Sequence, residues 1–158
     1  MSTTTSGTHA ETDREIVSTR VIDAPRELVF RAFTDPERLA VWWGPNGFRN
    51  TFHEFDLRPG GHWRFVMHGP DGKDYENQSV FREVVEPERI IFDHTNGPLF
   101  QMIQTYEDLS GRTRLTWRMC FATAGAYDMV KGFAPACNEE NFDRLEAVLA
   151  KMQQSQPS

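Results

Sequence analysis

Five histidines and two cysteines are the residues of this 158-residue chain best suited to metal or nucleophile chemistry. Their spacing serves neither. His62 and His68 share a strand parity, but six extended residues separate them by about 20 Å, too far for one ion. His53 and His94 have no spaced partner, and neither H-E-x-x-H nor a facial-triad spacing occurs. No metal and no cofactor is expected. Cys120 and Cys137 form no C-x-x-C pair and read as reduced, buried thiols. There is no G-x-S-x-G elbow and no Ser or Cys beside a His. Gly60-Gly61 is a turn without the Lys-Ser/Thr of a phosphate loop.

Acid–base work needs a carboxylate or His held inside a pocket. Glu54, Asp56, Glu76, Glu83 and Asp93 fall on strand candidates, most of them facing solvent. The runs 51–57 and 75–85 alternate poorly, which leaves Glu54 and Glu83 open as interior groups. With His94 they are the candidates for an enzymatic reading. No catalytic residue is assigned.

Apolar recognition is better served. Trp63, Phe65 and Met67 share one side of their strand, opposite His62, Arg64, Val66 and His68. Leu115, Trp117, Met119 and Phe121 likewise oppose Thr116, Arg118 and Cys120. Phe100, Met102, Gln104 and Tyr106 line up, as do Ile90, Phe92 and His94. The shared face is aromatic and Met-rich, with Gln104, His94 and the Tyr106 hydroxyl as polar points. A mainly apolar wall with few polar anchors is how small-molecule sites are built; the competing reading is a core these side chains simply fill. Trp42 and Trp43 are adjacent and cannot point the same way, so one seals the core and the other borders the chamber; adjacency does not say which, and Trp43 is taken into the candidate ligand-binding set. Asn138 and Phe142 complete the candidate ligand-binding set. Asn138 is equally readable as the cap of the last helix, with Asn141 three residues on.

The elements that must position these residues follow from pattern and punctuation. Ile16 to Ile22 alternates as a strand, with Val17, Thr19 and Val21 on one face. Pro25 suits a first helical turn with Asp23 upstream as cap, and Leu28, Val29, Ala32 and Phe33 form the apolar face. Asp35-Pro36 repeats the signal for a shorter helix to about Ala40. Strands follow at 51–57, 62–68, 75–85, 89–95, 99–107 and 112–121, joined by short Gly/Pro turns, which implies an antiparallel meander. Residues 125–133 form an irregular or helical lead-in, cut off by Pro135. Phe142, Leu145, Val148, Leu149 and Met152 stripe the last helix, and the stripe extends upstream to Asn138. The fold class is α+β: a curved seven-stranded antiparallel sheet gripping a long C-terminal helix, with two short helices plugging one side. Residues 1–14 and 154–158 read as polar tails around one domain over 15–153.

Length and composition agree with one domain: 39% hydrophobic and 12% aromatic residues supply a core. A formal charge of −6 and no basic run exclude a nucleic-acid footprint. No apolar run reaches the roughly 20 residues that span a bilayer, so no membrane partner is expected. The N-terminal residues lack the apolar segment of a secretory signal, and a cytoplasmic location is expected.

The order of elements and motifs resembles the START-like or Bet v 1-like (SRPBCC) superfamily, whose architecture is the helix-grip fold. More narrowly, it resembles the bacterial homologues of the activator of the heat-shock-protein-90 ATPase. The matching pieces run Ala24-Pro25-Arg26-Glu27-Leu28-Val29-Phe30, Thr34-Asp35-Pro36-Glu37, Trp42-Trp43-Gly44-Pro45 and Asp56-Leu57-Arg58-Pro59-Gly60-Gly61. Gly69-Pro70-Asp71-Gly72, Glu86-Pro87-Glu88-Arg89 and Asp143-Arg144-Leu145 follow, so the resemblance covers about Ile16 to Met152. It implies an apolar cavity for a lipid, hormone or polyketide-like molecule. Two alternatives come with it: a cyclase- or dehydratase-type enzyme, and a module that binds a chaperone. A homodimer through an edge strand is also compatible.

Overall fold

A computed structural model describes residues 14–155. Strand β1 (Glu15–Ile22) leads into two short helices, α1 (Arg26–Thr34) and α2 (Pro36–Trp42). Six strands follow: β2 (Arg49–Phe55), β3 (His62–His68), β4 (Asp74–Val85), β5 (Arg89–His94), β6 (Phe100–Asp108) and β7 (Thr113–Phe121). A short helix α3 (Ala124–Val130) and a long helix α4 (Ala134–Ser155) close the chain. The seven strands form one antiparallel sheet in the order β1-β7-β6-β5-β4-β3-β2. This is the expected helix-grip architecture. Helix α4 continues through Ser155, past the expected domain end at 153, while residues 1–13 and 156–158 of the expected tails lie outside the described residues.

Local chemistry accounts for the boundaries. Pro25 is itself the N-cap residue of α1, in an extended conformation with no side-chain cap, and its carbonyl accepts from Leu28 and Val29 N–H. The expected cap at Asp23 is therefore not used. Asp35 does cap α2: its carboxylate accepts from Glu37 N–H at 3.1 Å, with Pro36 in the first turn where a missing N–H costs nothing. Thr123 caps α3 in the same way, accepting from Ala126 N–H at 3.1 Å. Pro135 sits in the first turn of α4, which separates the two helices as its chemistry requires.

The two strands with poor alternation each carry an irregularity in register, between Phe52 and Glu54 on β2 and between Phe81 and Glu83 on β4. An inserted residue breaks the period of two, bends the strand and lets the sheet curl. Both carboxylates stay on its outer side. Glu54 pairs with Arg64 at 2.9 Å and Glu83 pairs with Arg89. On β1 the β-branched face of Val17, Thr19 and Val21 faces solvent, and Ile16, Ser18 and Ile22 are buried.

The core lies between the concave face of the sheet and α4. Phe142, Leu145, Leu149 and Met152 are buried along the helix, and Leu28, Val29, Phe30, Ala32 and Phe33 are buried along α1. Each large apolar side chain removed from water contributes about 1.5–3 kcal/mol. Arg20 of β1 fastens α4 from outside, reaching Glu139 and Asp143 at 2.7 Å and Glu146 at 3.1 Å, with its guanidinium 5.4 Å from the Phe142 ring. Among the described residues no helix is long and apolar enough to cross a membrane.

Candidate functional site

One large apolar cavity, of about 670 Å³, opens between the sheet and the start of α4. Strand alternation builds its sheet wall. Trp63, Phe65 and Met67 come from β3, Phe92 and His94 from β5, Met102 from β6, and Trp117 and Met119 from β7. Opposite them, α4 contributes Ala134, Cys137, Asn138 and Asn141, one turn apart along a single stripe. The mouth lies among Tyr75, Gly97, Pro98 and Phe133, of which Phe133 is 55% and Tyr75 44% exposed.

The two adjacent tryptophans divide the work. Trp42 is buried, and its indole N–H donates to the carbonyl of Ala32 at 3.0 Å, locking α2 onto α1. Trp43 lines the cavity, packed against Trp63 at 5.2 Å and Trp117 at 5.3 Å between ring centroids. Gly44 follows with φ +100°, and a Cβ there would lie 2.6 Å from the Met67 methyl. The left-handed backbone turn favours glycine there, whereas the contact is with the flexible end of Met67, which can move aside.

Arg144 holds this rim in place. Its guanidinium donates to five backbone carbonyls: Val41 at 2.7 Å, Trp43 at 3.3 Å, and Gly44, Pro45 and Phe48 at 2.8 Å each. A planar fork with five N–H donors suits that arrangement, and a lysine could not reproduce it. Asn50 adds donors to the carbonyls of Ala40 and Trp43.

Among the polar residues along the wall are His94, Asn77, Cys137 and Asn138. His94 is buried, and its Nδ1 donates to the Pro98 carbonyl at 2.7 Å while Nε2 lies 2.9 Å from the Asn77 side-chain amide, whose NH2 is the group that a neutral ring accepts from. Burial pushes the ring's pKa below its ordinary value, and the bond to Pro98 only partly opposes this. Burial raises the Cys137 thiol, with Glu140 adding to it, so this sulfur is a poor nucleophile. Asn138 donates to Ser18 Oγ at 3.0 Å from inside α4, so it is no helix cap.

Three residues of the expected site lie away from the wall. The Tyr106 hydroxyl donates to Gln104 Oε1 at 2.8 Å, both fully enclosed in the core under Phe30. Burial pushes the phenol's pKa up, so it remains a donor. Phe142 packs on Trp117 at 4.7 Å and contributes no surface to the cavity. Sequence reasoning missed Asn77, Ser79 and Asn141. Parity along Tyr75, Asn77 and Ser79 is intact ahead of the β4 irregularity and pairs them with Met67, Phe65 and Trp63, so that signal was present.

A second constellation stands on the outer face at the β2 edge. His68 Nδ1 bonds Asp74 Oδ1 at 2.8 Å and its Nε2 bonds Thr51 Oγ1 at 2.7 Å. The order is that of nucleophile, base and carboxylate. It stands on the outer sheet face, and Asp74 is 64% exposed. Its bonds tie β2, β3 and β4 together on that face. Among the described residues no group of His, Cys, Asp and Glu is placed to hold a metal.

A family model described as Activator of Hsp90 ATPase homolog 1-like protein matches residues 23–150. The chain belongs to this family. Solved structures share the fold. A protein from Nitrosomonas europaea is 26% identical, with a TM-score of 0.81 over 89% of this chain and 96% of its own. A Rhodobacter sphaeroides protein is also 26% identical, with a TM-score of 0.79 over 87% of this chain and 93% of its own. An AHSA1 protein from Silicibacter pomeroyi is similar in fold, at 21% identity and a TM-score of 0.72 over 87% of this chain and 99% of its own. No curated protein matches. The activator-homologue pieces read from sequence acquire physical roles here: Asp35-Pro36 starts α2, Trp42-Trp43-Gly44-Pro45 forms the cavity rim, and Arg144 clasps that rim.

Proposed function

We propose that this family member binds a small apolar or aromatic molecule in the cavity between its sheet and α4. The observation that carries the reading is the cavity itself. About 670 Å³ lies open here, and unlike a polar surface hollow it is walled mainly by Trp, Phe and Met. That volume falls within the range of roughly 300–1,000 Å³ typical of ligand pockets. A binder is favoured over an enzyme by the placement of the acid–base candidates. Glu54 and Glu83 are held by arginines on the outer side of the sheet. His94 stands in the wall with burial favouring its neutral form and a proton already committed to Pro98.

The reading is tested by titrating the protein with a panel of uncharged lipids, steroids and aromatic molecules while following tryptophan emission. Trp43, Trp63 and Trp117 line the space, so occupancy should change the emission saturably for at least one compound. A flat response across the panel, together with no small molecule released on denaturing freshly purified protein, would overturn it.

A further inference from the structure

The large side chains at the cavity mouth are not all held alike. Tyr75 packs against Phe48 at 6.0 Å between ring centroids, and its hydroxyl donates to Asp71 at 3.3 Å. Phe133 also lines the cavity, yet it is 55% exposed and its ring has no aromatic partner among the described residues.

Its backbone is fixed. The Phe133 N–H donates to the Val130 carbonyl at 3.1 Å, and its own carbonyl accepts from Cys137 N–H at 3.0 Å, which joins the end of α3 to the first turn of α4. Val130 and Ala134, close by in the chain, are both buried. Phe133 is therefore held at its main chain and free at its ring, so rotation about its side-chain bonds is the movement available to it. Exposed side chains change rotamer within picoseconds to nanoseconds.

Solvation gives that movement a direction. A half-exposed phenyl ring that turns onto an apolar guest leaves water itself and covers the guest's outward surface, and both changes are favourable. Met129 supplies the contrast: it is 65% exposed on α3 but is no part of the cavity wall.

We infer that Phe133 is the gate of the cavity: its ring turns across the mouth onto a bound guest and retains it there. This rests on the cavity being a ligand site. The gate adds contacts that must break before the guest leaves, so it acts on release rather than on entry.

The test uses N-phenyl-1-naphthylamine, an uncharged aromatic whose binding inside the cavity is followed by energy transfer from Trp43, Trp63 and Trp117. With Phe133 replaced by 4-fluorophenylalanine, the fluorine resonance should differ between light and heavy water without the probe, as for a water-exposed ring, and that difference should shrink at saturation. In stopped-flow displacement, Phe133→Ala should release the probe about three- to tenfold faster than wild type, which corresponds to burying roughly half a phenyl ring. Met129→Ala should release it at the wild-type rate. A solvent difference unchanged at saturation overturns the inference and leaves the cavity reading standing. So does release from Phe133→Ala at the wild-type rate, or an equal acceleration by Met129→Ala. A wild-type protein that does not bind the probe counts against the cavity reading itself and removes the inference with it.

Discussion

His94 is held by the Pro98 carbonyl at 2.7 Å and faces Asn77 at 2.9 Å, inside a site where burial opposes its charge. Its pKa in the folded protein therefore lies below the ordinary 6.5. In the window between the two values the unfolded chain binds a proton that the folded one refuses, so acid favours unfolding. Wild-type stability should fall as pH drops through 6.5 toward the folded pKa and should level off above 6.5. Urea denaturation across this range, compared with His94→Phe, checks it: the wild-type minus variant difference should rise with pH and then flatten. A constant difference would show that the ring titrates as in the unfolded chain, and one that falls with pH would show that the fold favours its charged form; either overturns the expectation. At the same scale, Phe142 is separated from the ligand question. Buried between Trp117 and the Arg20 guanidinium, it serves the core. Phe142→Ala should cost about 3–5 kcal/mol in denaturant unfolding.

Among the elements, the loop after α2 is the part most dependent on a single distant side chain. Arg144 reaches it across about a hundred residues of sequence and satisfies five carbonyls there. A hydrogen bond to a charged group is worth about 1.5–3 kcal/mol and such bonds are not additive. Arg144→Lys should accordingly lose about 2–4 kcal/mol in stability, with Trp43 emission shifting red as the rim loosens. Unchanged emission would show that the loop holds itself. Strand parity made most of the wall legible: one alternation placed Trp63, Phe65 and Met67 together, and another placed Trp117 and Met119. The same parity misled for Gln104 and Tyr106. They share the inner face of β6 with Met102, but that end of the strand is roofed by α1, through Phe30. Alternation identifies a face and is silent on what covers each part of it.

At the scale of the whole molecule, the sheet curls around α4 but packs tightly only along the helix's later turns, where Leu145, Leu149 and Met152 are buried. Its first turns carry Cys137, Asn138 and Asn141 instead, and the cavity opens there. Filling that space from the sheet should remove binding without unfolding the protein. Ser79→Phe is the chosen variant, because Ser79 is buried in the wall opposite Trp63. It should weaken an established ligand by more than tenfold, and the melting temperature should hold within a few degrees because the added ring enters existing space; overpacking a filled core costs about 1–3 kcal/mol. Ligand affinity equal to wild type would place the site elsewhere. The order of strands and helices, the capping of α2, the inner face of most strands and the membership of an activator-homologue family were all determined by the sequence, because periodicity, turn chemistry and motif order are local and survive without coordinates. The division of that inner face into core and cavity, the grip of Arg144 on the rim, the outward placement of Glu54 and Glu83, and the half-exposed ring of Phe133 at the mouth were decided only by the tertiary structure. Each depends on which distant segment lies against a given side chain, and that is a property of packing rather than of any window of sequence.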